Sequence, residues 1–498
     1  MIQKVSAFSQ KTICIIFAFF CAMIPIGALI FTPFGQGKWL YISLAGAALL
    51  CLAAYATARH FPDFLTNIST KKWLILLTLT CIAVKLLWVI LVRIEPHNDY
   101  ARFYETAIQL SESYALENAK FFAIFPHILG YASFLSLFFS LFGAGTLWAP
   151  LLNVGLTTIS MLLIYYICDK LCGKKMAVIA CLLWTILPSQ TIYNMFALSE
   201  PLYTTLLLCI WALFLLTDQK MRAGDVKKGM AGFFMMGIVA AVLNTIRPIG
   251  LIVLISIVMY FFILTMNSMK DKKILWTRLS GALAMLVLYF ALSFGSNLYI
   301  ESRVGEPPVA VSGYNMYVGF NVSASGLWNE EDSALFYSYV NDDTLSAVEV
   351  QEKMFAHFEE RILDGHINCP VLFAKKFNAM WSRDSACVTY MSGVIQAPET
   401  KTALNFLCNS FYYFLALCAL AALWFVWKRR EKPMILIVLL FFIGLVLAHM
   451  LVEVATRYHY SGMAALVIMA AYGIGSIKRK PSEDSDETMK QSERLQGD

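Results

Sequence analysis

The sequence predicts an all-α integral membrane protein, a polytopic helical bundle with about 12 spans. Of the 498 residues, 59% are hydrophobic and 14% are charged, whereas a soluble protein of this size carries about 25% charged residues. Apolar runs of about 20 residues recur, each long enough to cross a hydrocarbon core of ~30 Å. The net charge of +6 is explained by short basic loops and requires no nucleic-acid partner.

The apolar runs place the spans, and the basic loops between them orient the chain. Lys and Arg gather in the cytoplasmic loops of membrane proteins, so both termini are expected in the cytoplasm. A multi-pass protein of the plasma membrane is expected, or of the endoplasmic reticulum membrane in a eukaryote. The expected spans are 12–33, 38–57, 72–94, 146–168, 175–192, 199–217, 229–246, 249–268, 277–299, 404–427, 433–452 and 460–476.

Residues 121–143 are apolar enough to span as well. A further crossing there would place Lys174 and Lys175 outside and reverse every later basic loop. The segment is therefore predicted to be a re-entrant or interfacial helix in the first outer loop, 95–145. Such a segment is tolerated at membrane depth where it lines a protein cavity.

This topology divides the chain into an N-terminal transmembrane module (1–299, with the first outer loop), an extracytoplasmic cap (300–403), C-terminal transmembrane helices (404–476) and a disordered cytoplasmic tail (477–498). The cap should contain an amphipathic helix over 344–364. Its two cysteines, Cys369 and Cys387, leave open either a disulfide or two thiols. Lys375, Lys376, Arg383 and Asp384 are expected on the cap surface, with substrate contact as the alternative.

Charged residues recur where predicted spans meet the outer side. Charge at a membrane boundary is costly and points to function by default. Asp99 follows the third span, and Arg247 lies in a tight turn between two others. Lys85 lies inside a span, where snorkelling to the interface is the alternative to a buried partner. The other residues of this set are Glu95, His97, Glu105, Glu200, Glu453 and Arg457.

The order of these motifs resembles the GT-C glycosyltransferases, in particular the protein mannosyltransferase, aminoarabinose transferase and GPI-mannosyltransferase-like group. Asp99-Tyr-Ala-Arg-Phe-Tyr-Glu resembles their first-loop acidic motif. Phe125-Pro126, Leu151-Leu-Asn153, Ser199-Glu-Pro201, Arg247-Pro248 and Glu453…Arg457-Tyr458 follow in the family order. The resemblance implies a polytopic bundle of GT-C type and a polyprenyl-phosphate sugar donor. Asn98 stands where relatives often have a second acid, which argues against a paired-Asp metal site.

The candidate roles follow from the chemistry of an inverting transfer. Asp99 is the candidate general base that takes the proton of the acceptor. Arg247, Arg457 and Lys85 are candidates to hold the donor phosphate, because a guanidinium matches phosphate oxygens. Glu453 is expected to orient Arg457 at i,i+4. The remaining candidate substrate-binding residues are Glu200, Glu105, His97 and Tyr100.

Each candidate also has a structural explanation. Glu200 fits a helix N-terminus, and Glu105 fits an ordinary surface position. His97 has no second metal ligand spaced to join it. Trp328 and Tyr314 could stack on sugar rings or simply lie at the membrane interface. No cofactor follows from the sequence, and a divalent metal ion stays open.

The sequence therefore predicts a membrane glycosyltransferase that passes a sugar from a polyprenyl-phosphate donor to an extracytoplasmic glycan, lipid or protein. The alternative is a transporter or flippase of a lipid-linked saccharide, which should place charges along a path to both faces. A non-catalytic scaffold is a third class, in which Asp99 would be dispensable.

Overall fold

The computed structural model describes residues 2–32, 38–60, 67–113, 116, 118–261, 272–309, 312–391, 393–429 and 433–477. About four-fifths of these residues (81%) are helical, and the β-type pairing within them is a single parallel bridge between Leu327 and Val454. The expected disordered tail lies, except for Ile477, outside the described residues.

Eight helices in the described part of the chain are long and apolar enough to cross a membrane. They coincide with eight of the twelve expected spans, which confirms the polytopic all-α class. The eight spans are Phe8–Phe31, Lys38–His60, Thr70–Leu91, Trp148–Cys172, Glu200–Arg222, Val226–Ile246, Leu275–Val304 and Pro398–Trp427.

Within the described residues, the other four expected spans contain shorter helices. Lys174–Ile186 has 13 residues, Gly250–Met259 has 10, Leu436–Leu451 has 16 and Gly462–Gly475 has 14. Residues 262–268 of the expected span 249–268 lie outside the described residues. At 1.5 Å per residue the longest reaches about 24 Å, less than a hydrocarbon core of about 30 Å. The first of them ends early because Pro188 begins a separate helix, Pro188–Tyr193, and proline has no N–H to continue the preceding helix.

The segment predicted to be re-entrant forms two helices, Ala119–Ile124 and His127–Phe142. Pro126 separates them, again by the loss of a backbone donor. The second helix packs against the helix Asp99–Glu112, with Phe103 edge-on to Tyr131 at a centroid distance of 5.2 Å. Whether the segment enters the membrane stays a prediction; its contacts fix it beside the start of the Asp99 helix.

The cap consists of five short helices. The expected amphipathic helix is Ala347–Leu363, begun by a capping box in which Ser346 and Glu349 bond each other's backbone N–H groups. The other four are Gly313–Gly319, Glu330–Val340, Cys369–Trp381 and Ala386–Tyr390.

The cap is joined to the segment that follows the helix Leu436–Leu451. The N–H of Glu453 donates to the carbonyl of Asn315 at 2.7 Å, and the N–H of Val454 donates to Gly326 at 2.9 Å. Gly319 lies so close that a Cβ there would stand 2.5 Å from the carbonyl carbon of Val452. Cap and bundle thus share one packed backbone interface.

Two expectations for the cap are wrong, and one open alternative is decided. Cys369, which is exposed, and Cys387, which is buried, are two free thiols, one of the two alternatives that the sequence left open. Lys376 is 0% exposed and Asp384 only 2%, so neither is a surface residue. Lys375 is half-buried and Arg383 is exposed over the ring of Trp39.

Candidate functional site

A cavity of about 820 Å³ lies where the Asp99 helix, the 247–249 turn, the cap and residues 448–458 meet. Four of the predicted site residues line it: Asp99, Arg247, Glu453 and Arg457. The first and last of them, Asp99 and Arg457, are 358 positions apart in the sequence. Such a concave site with a few convergent polar groups is the usual form of a small-ligand pocket.

Arg457 lies between two carboxylates. Its Nη2 donates to Asp99 Oδ2 at 2.5 Å, and its Nε lies 3.3 Å from Glu200 Oε1. Its Nη1 donates to the hydroxyl of Tyr390 at 3.2 Å. The side chain of Glu200 is 1% exposed, that of Arg457 14% and that of Asp99 47%. Exposure therefore increases from Glu200 through Arg457 to Asp99, and Asp99 is the member of the cluster that is open to the cavity.

The position of Asp99 is set by local backbone geometry. Asn98 adopts a left-handed φ of 50°, and Asp99 begins the next helix. Asparagine is among the few residues that tolerate positive φ. The positive φ thus gives a backbone reason for asparagine at position 98. An acidic residue there would have to adopt the same positive φ.

Arg247 is a cation of the cavity wall with no ion-pair partner among the described residues. It follows the last residue of the helix Val226–Ile246, and its N–H still donates to Leu243 at 2.8 Å. Its guanidinium lies 4.1 Å from the ring centroid of Tyr458, a cation–π distance. This contact fixes the guanidinium and leaves its donors available.

Glu453 does not orient Arg457, contrary to the sequence prediction. Residues 452–455 are extended rather than helical, so the i,i+4 geometry is absent and Arg457 pairs with Asp99 and Glu200 instead. Burial raises the pKa of Glu453 to about 7, against the opposing charge of Arg457. A carboxyl group that titrates near neutrality is suited to proton transfer.

Buried polar contacts from the cap hold the segment that contains Glu453 and Arg457. Lys376 Nζ donates to the carbonyls of Met450 at 2.8 Å and Val452 at 2.7 Å. Burial lowers the pKa of this amine to about 7, although Glu453 acts in the opposite direction. At the other end of the segment, His459 Nε2 lies 3.0 Å from Asp384 Oδ1. Ser189 donates to the second oxygen of Asp384 at 2.5 Å.

Five predicted site residues do not line the cavity: Glu200, which pairs with Arg457 behind it, and Lys85, Glu105, His97 and Tyr100. Lys85 is fully buried, and its Nζ donates to Thr191 Oγ1 at 3.0 Å and to the Thr185 carbonyl at 3.4 Å. Glu105 is exposed and does not line the cavity. His97 packs edge-on against Tyr100, and Tyr100 is buried as a stacked partner of Phe196. These two support the wall behind Asp99.

The structure adds residues that the sequence prediction missed. Arg102 lines the cavity three positions after Asp99, a spacing that puts two residues on one helix face. That spacing was a usable signal. Tyr390, Asn315, His127 and His449 also line the cavity, and only folding of distant segments brings them there.

The carboxylates present do not fit a shared metal ion. Asp99 and Glu200 both reach the guanidinium of Arg457, which stands where a cation bridging them would lie. Among the described residues, no group of three or more His, Cys, Asp or Glu side chains has metal-binding geometry. No step is therefore assigned to a metal here.

The fold and cavity define a polytopic helical membrane protein with a charged site at the end of its bundle. No protein-family model matches the sequence, and no curated protein matches it significantly. Solved structures similar to it are glycosyltransferases of the GT-C class, the class that the motif order resembles. With identities of 12–14% and TM-scores below 0.5, the function has to be argued from the cavity itself.

One similar structure is the archaeal oligosaccharyltransferase AglB from Archaeoglobus fulgidus, with an inhibitory peptide and a dolichol-phosphate: TM-score 0.46, 12% identity, 81% of this chain and 50% of that one. Another is ArnT from Cupriavidus metallidurans bound to undecaprenyl phosphate: 0.34, 14%, 82% and 77%. A third is arabinosyltransferase EmbB from Mycobacterium smegmatis: 0.34, 14%, 88% and 44%. This chain spans about half the length of AglB.

Proposed function

We propose that the protein is a membrane glycosyltransferase that moves a sugar from a polyprenyl-phosphate donor to an acceptor bound in this cavity. The observation that supports it is the presence of two complementary functions in one cavity. Asp99 offers a carboxylate already oriented by Arg457, and Arg247 offers a guanidinium with no carboxylate partner among the described residues. A base and an anion holder are what a phosphate-leaving transfer requires.

In the proposed reaction, the acceptor hydroxyl attacks the anomeric carbon while Asp99 takes the hydroxyl proton. The bond between that carbon and the phosphate oxygen breaks, and its electron pair leaves on the polyprenyl phosphate. Arg457 binds only Oδ2 of Asp99, so Oδ1 is available to the proton. Arg247 would neutralise the leaving phosphate. Attack opposite the leaving group inverts the anomeric centre.

The site of action follows from the orientation predicted by the basic loops. The cavity would then face the outer side of the plasma membrane, or the lumen of the endoplasmic reticulum, with both termini in the cytoplasm. Single cysteines at positions 97–127 and 171–175 should react with impermeant reagents on opposite sides. Labelling on the same side would contradict this topology.

The test is transfer by purified protein, given radiolabelled polyprenyl-phosphate sugars and membrane acceptors. Asp99→Asn should lower the rate by about 10²–10⁴-fold, the usual contribution of a general base. The thermal midpoint should stay unchanged, because this side chain is half exposed. Glu112→Gln, an exposed carboxylate at the other end of the same helix, is the matched control and should transfer normally.

Two outcomes would contradict the proposal. Transfer that persists in Asp99→Asn at the wild-type rate would remove the catalytic assignment. Movement of the carrier across a bilayer without transfer would favour the transporter or flippase. The same assay in sealed vesicles reports both.

A further inference from the structure

The cavity has a second wall that the proposed mechanism does not use. It is a row of aromatic rings from the first-loop helices and the cap, here called the aromatic wall. Phe125 lies 5.7 Å from Phe336 and 6.0 Å from Tyr314 between ring centroids. Phe336 continues to Tyr337 at 5.3 Å. All four line the same cavity as Asp99.

Two exposed residues beside the aromatic wall, Trp328 and Arg102, are accessible to a ligand in the cavity. Trp328 lines the cavity and is 59% exposed. Arg102 is exposed, lies 4.3 Å from the ring centroid of Phe121, and donates to the hydroxyl of Tyr337 at 3.4 Å. It forms no ion pair with any described residue. Its guanidinium is thus held in place by aromatic contacts and has charge to offer.

We propose that the aromatic wall is the acceptor subsite and that the acceptor is an acidic glycan, with Trp328 stacking on a sugar ring and Arg102 binding its carboxylate or phosphate group. This inference rests on the proposed function and specifies its acceptor. The negative face of an indole ring attracts the C–H edge of a sugar ring. A guanidinium is the side chain best matched to planar or tetrahedral anionic groups.

The spacing of Arg102 and Asp99 supports this assignment. They are three residues apart on one helix, which places their Cβ atoms about 5–6 Å apart on the same face. An anionic group held at Arg102 therefore leaves a hydroxyl of the same or the adjacent sugar within reach of Asp99. Arg247 is held against Tyr458 rather than against the aromatic wall, so the donor phosphate and the acceptor anion have separate cations.

The test measures binding without the donor, so its result is independent of transfer. Full-length protein in nanodiscs is titrated calorimetrically with tetragalacturonate and with maltotetraose, which have the same length and differ in charge. Wild type should bind the acidic tetrasaccharide at least about tenfold more tightly, as for hydrogen bonds to a charged group. Arg102→Gln should remove that difference. Arg59→Gln, a half-buried arginine bonded to Tyr55 outside the cavity, should keep it.

A second pair of variants tests the ring contact. Trp328→Leu should weaken both tetrasaccharides by about threefold to tenfold, whereas Trp424→Leu, a 70% exposed tryptophan elsewhere, should not. Equal affinity of wild type for the two ligands, or an Arg102→Gln variant that retains the preference, would overturn the acidic-glycan assignment. Transfer that still depends on Asp99 would in that case leave the proposed function intact.

Discussion

The two ends of the helix Glu200–Arg222 carry the same kind of chemistry with different surroundings. At one end, Glu200 pairs with Arg457, which reaches Asp99 and the cavity. At the other, about 27 Å away at 1.5 Å per residue, Asp218 pairs with Arg278 at 2.6 Å and with Arg222 at 2.5 Å. Each cluster contains a buried carboxylate paired with arginine, Glu200 with one and Asp218 with two.

The difference lies in what the most exposed member of each cluster faces. Asp99 lines a cavity that also contains the guanidinium of Arg247, which has no ion-pair partner among the described residues. Arg222 is exposed too, but none of the three residues around Asp218 lines a described pocket. A buried charge pair by itself therefore indicates a structural role. A functional role is indicated only where its most exposed group lines a cavity that can hold a ligand.

The largest effect is expected from the same substitution made at each end, beginning with Arg457→Met. It leaves Glu200 buried without a cation and frees Asp99, so both folding and transfer should suffer. We expect transfer per folded molecule to fall at least about 100-fold and unfolding free energy to fall by ~3–5 kcal/mol. Transfer assays and denaturant titration measure the two losses. A folded Arg457→Met variant with full activity would show that the Glu200 cluster is only structural, like the Asp218 cluster.

Arg278→Met should match the stability loss without the catalytic loss. It leaves the buried Asp218 with only the partly exposed Arg222 as a partner. Breaking a buried pair costs ~3–5 kcal/mol, but transfer per folded molecule should equal that of wild type. A tenfold drop in the transfer rate of the folded fraction would show that the Asp218 cluster is coupled to the site.

Glu453 gives the cavity a pH dependence. Its folded pKa, raised by burial to about 7 from 4.5, means that the folded state binds more protons between these values. The stabilising contribution is therefore present below pH 4.5 and lost as pH rises through 7. Relative to Glu453→Gln, the wild-type thermal midpoint should fall between pH 5 and pH 8.

Glu349 in the cap supplies the opposite sign. Hydrogen bonds from the N–H and hydroxyl of Ser346 lower its pKa. Its contribution is present at neutral pH and is lost as pH falls below its ordinary range. For Glu453, the contradicting outcome is a difference in thermal midpoint between wild type and Glu453→Gln that does not change with pH. That result would mean that the Glu453 carboxyl group is not desolvated.

The smallest effect is expected for Arg222→Gln. Its guanidinium is half exposed although it contacts Asp218, and exposed ion pairs contribute about 0–1 kcal/mol. The thermal midpoint should move only slightly, and Asp218 should stay paired with Arg278. A loss as large as that for Arg278→Met would show that all three charges act as one unit.

Hydrophobic run length predicted the helices well, and it failed where proline or short length intervened. Pro188 divides the expected span 175–192, and Pro126 divides 121–143. Both prolines are visible in the sequence, but an apolar run is counted without regard to backbone donors. The eight long spans are unbroken, and the first helix continues through Pro25.

The site was predictable where charge stood at a helix end, as for Asp99, Arg247 and Arg457. It was unpredictable where a partner lies far away in sequence. Lys376 reads as cap surface because its two carbonyl partners lie 74 and 76 residues further on. The sequence suggests Lys85 as a phosphate-binding residue, but in the structure its amine donates hydrogen bonds to Thr185 and Thr191.

Gly319 has a consequence for engineering. No other residue fits there without moving the backbone of Val452 or Glu453, and Glu453 is part of the cavity wall. The cap and the 450–458 segment thus have to be exchanged together in any chimera with another protein. A graft that replaces the cap alone would misplace the wall rather than merely change its specificity.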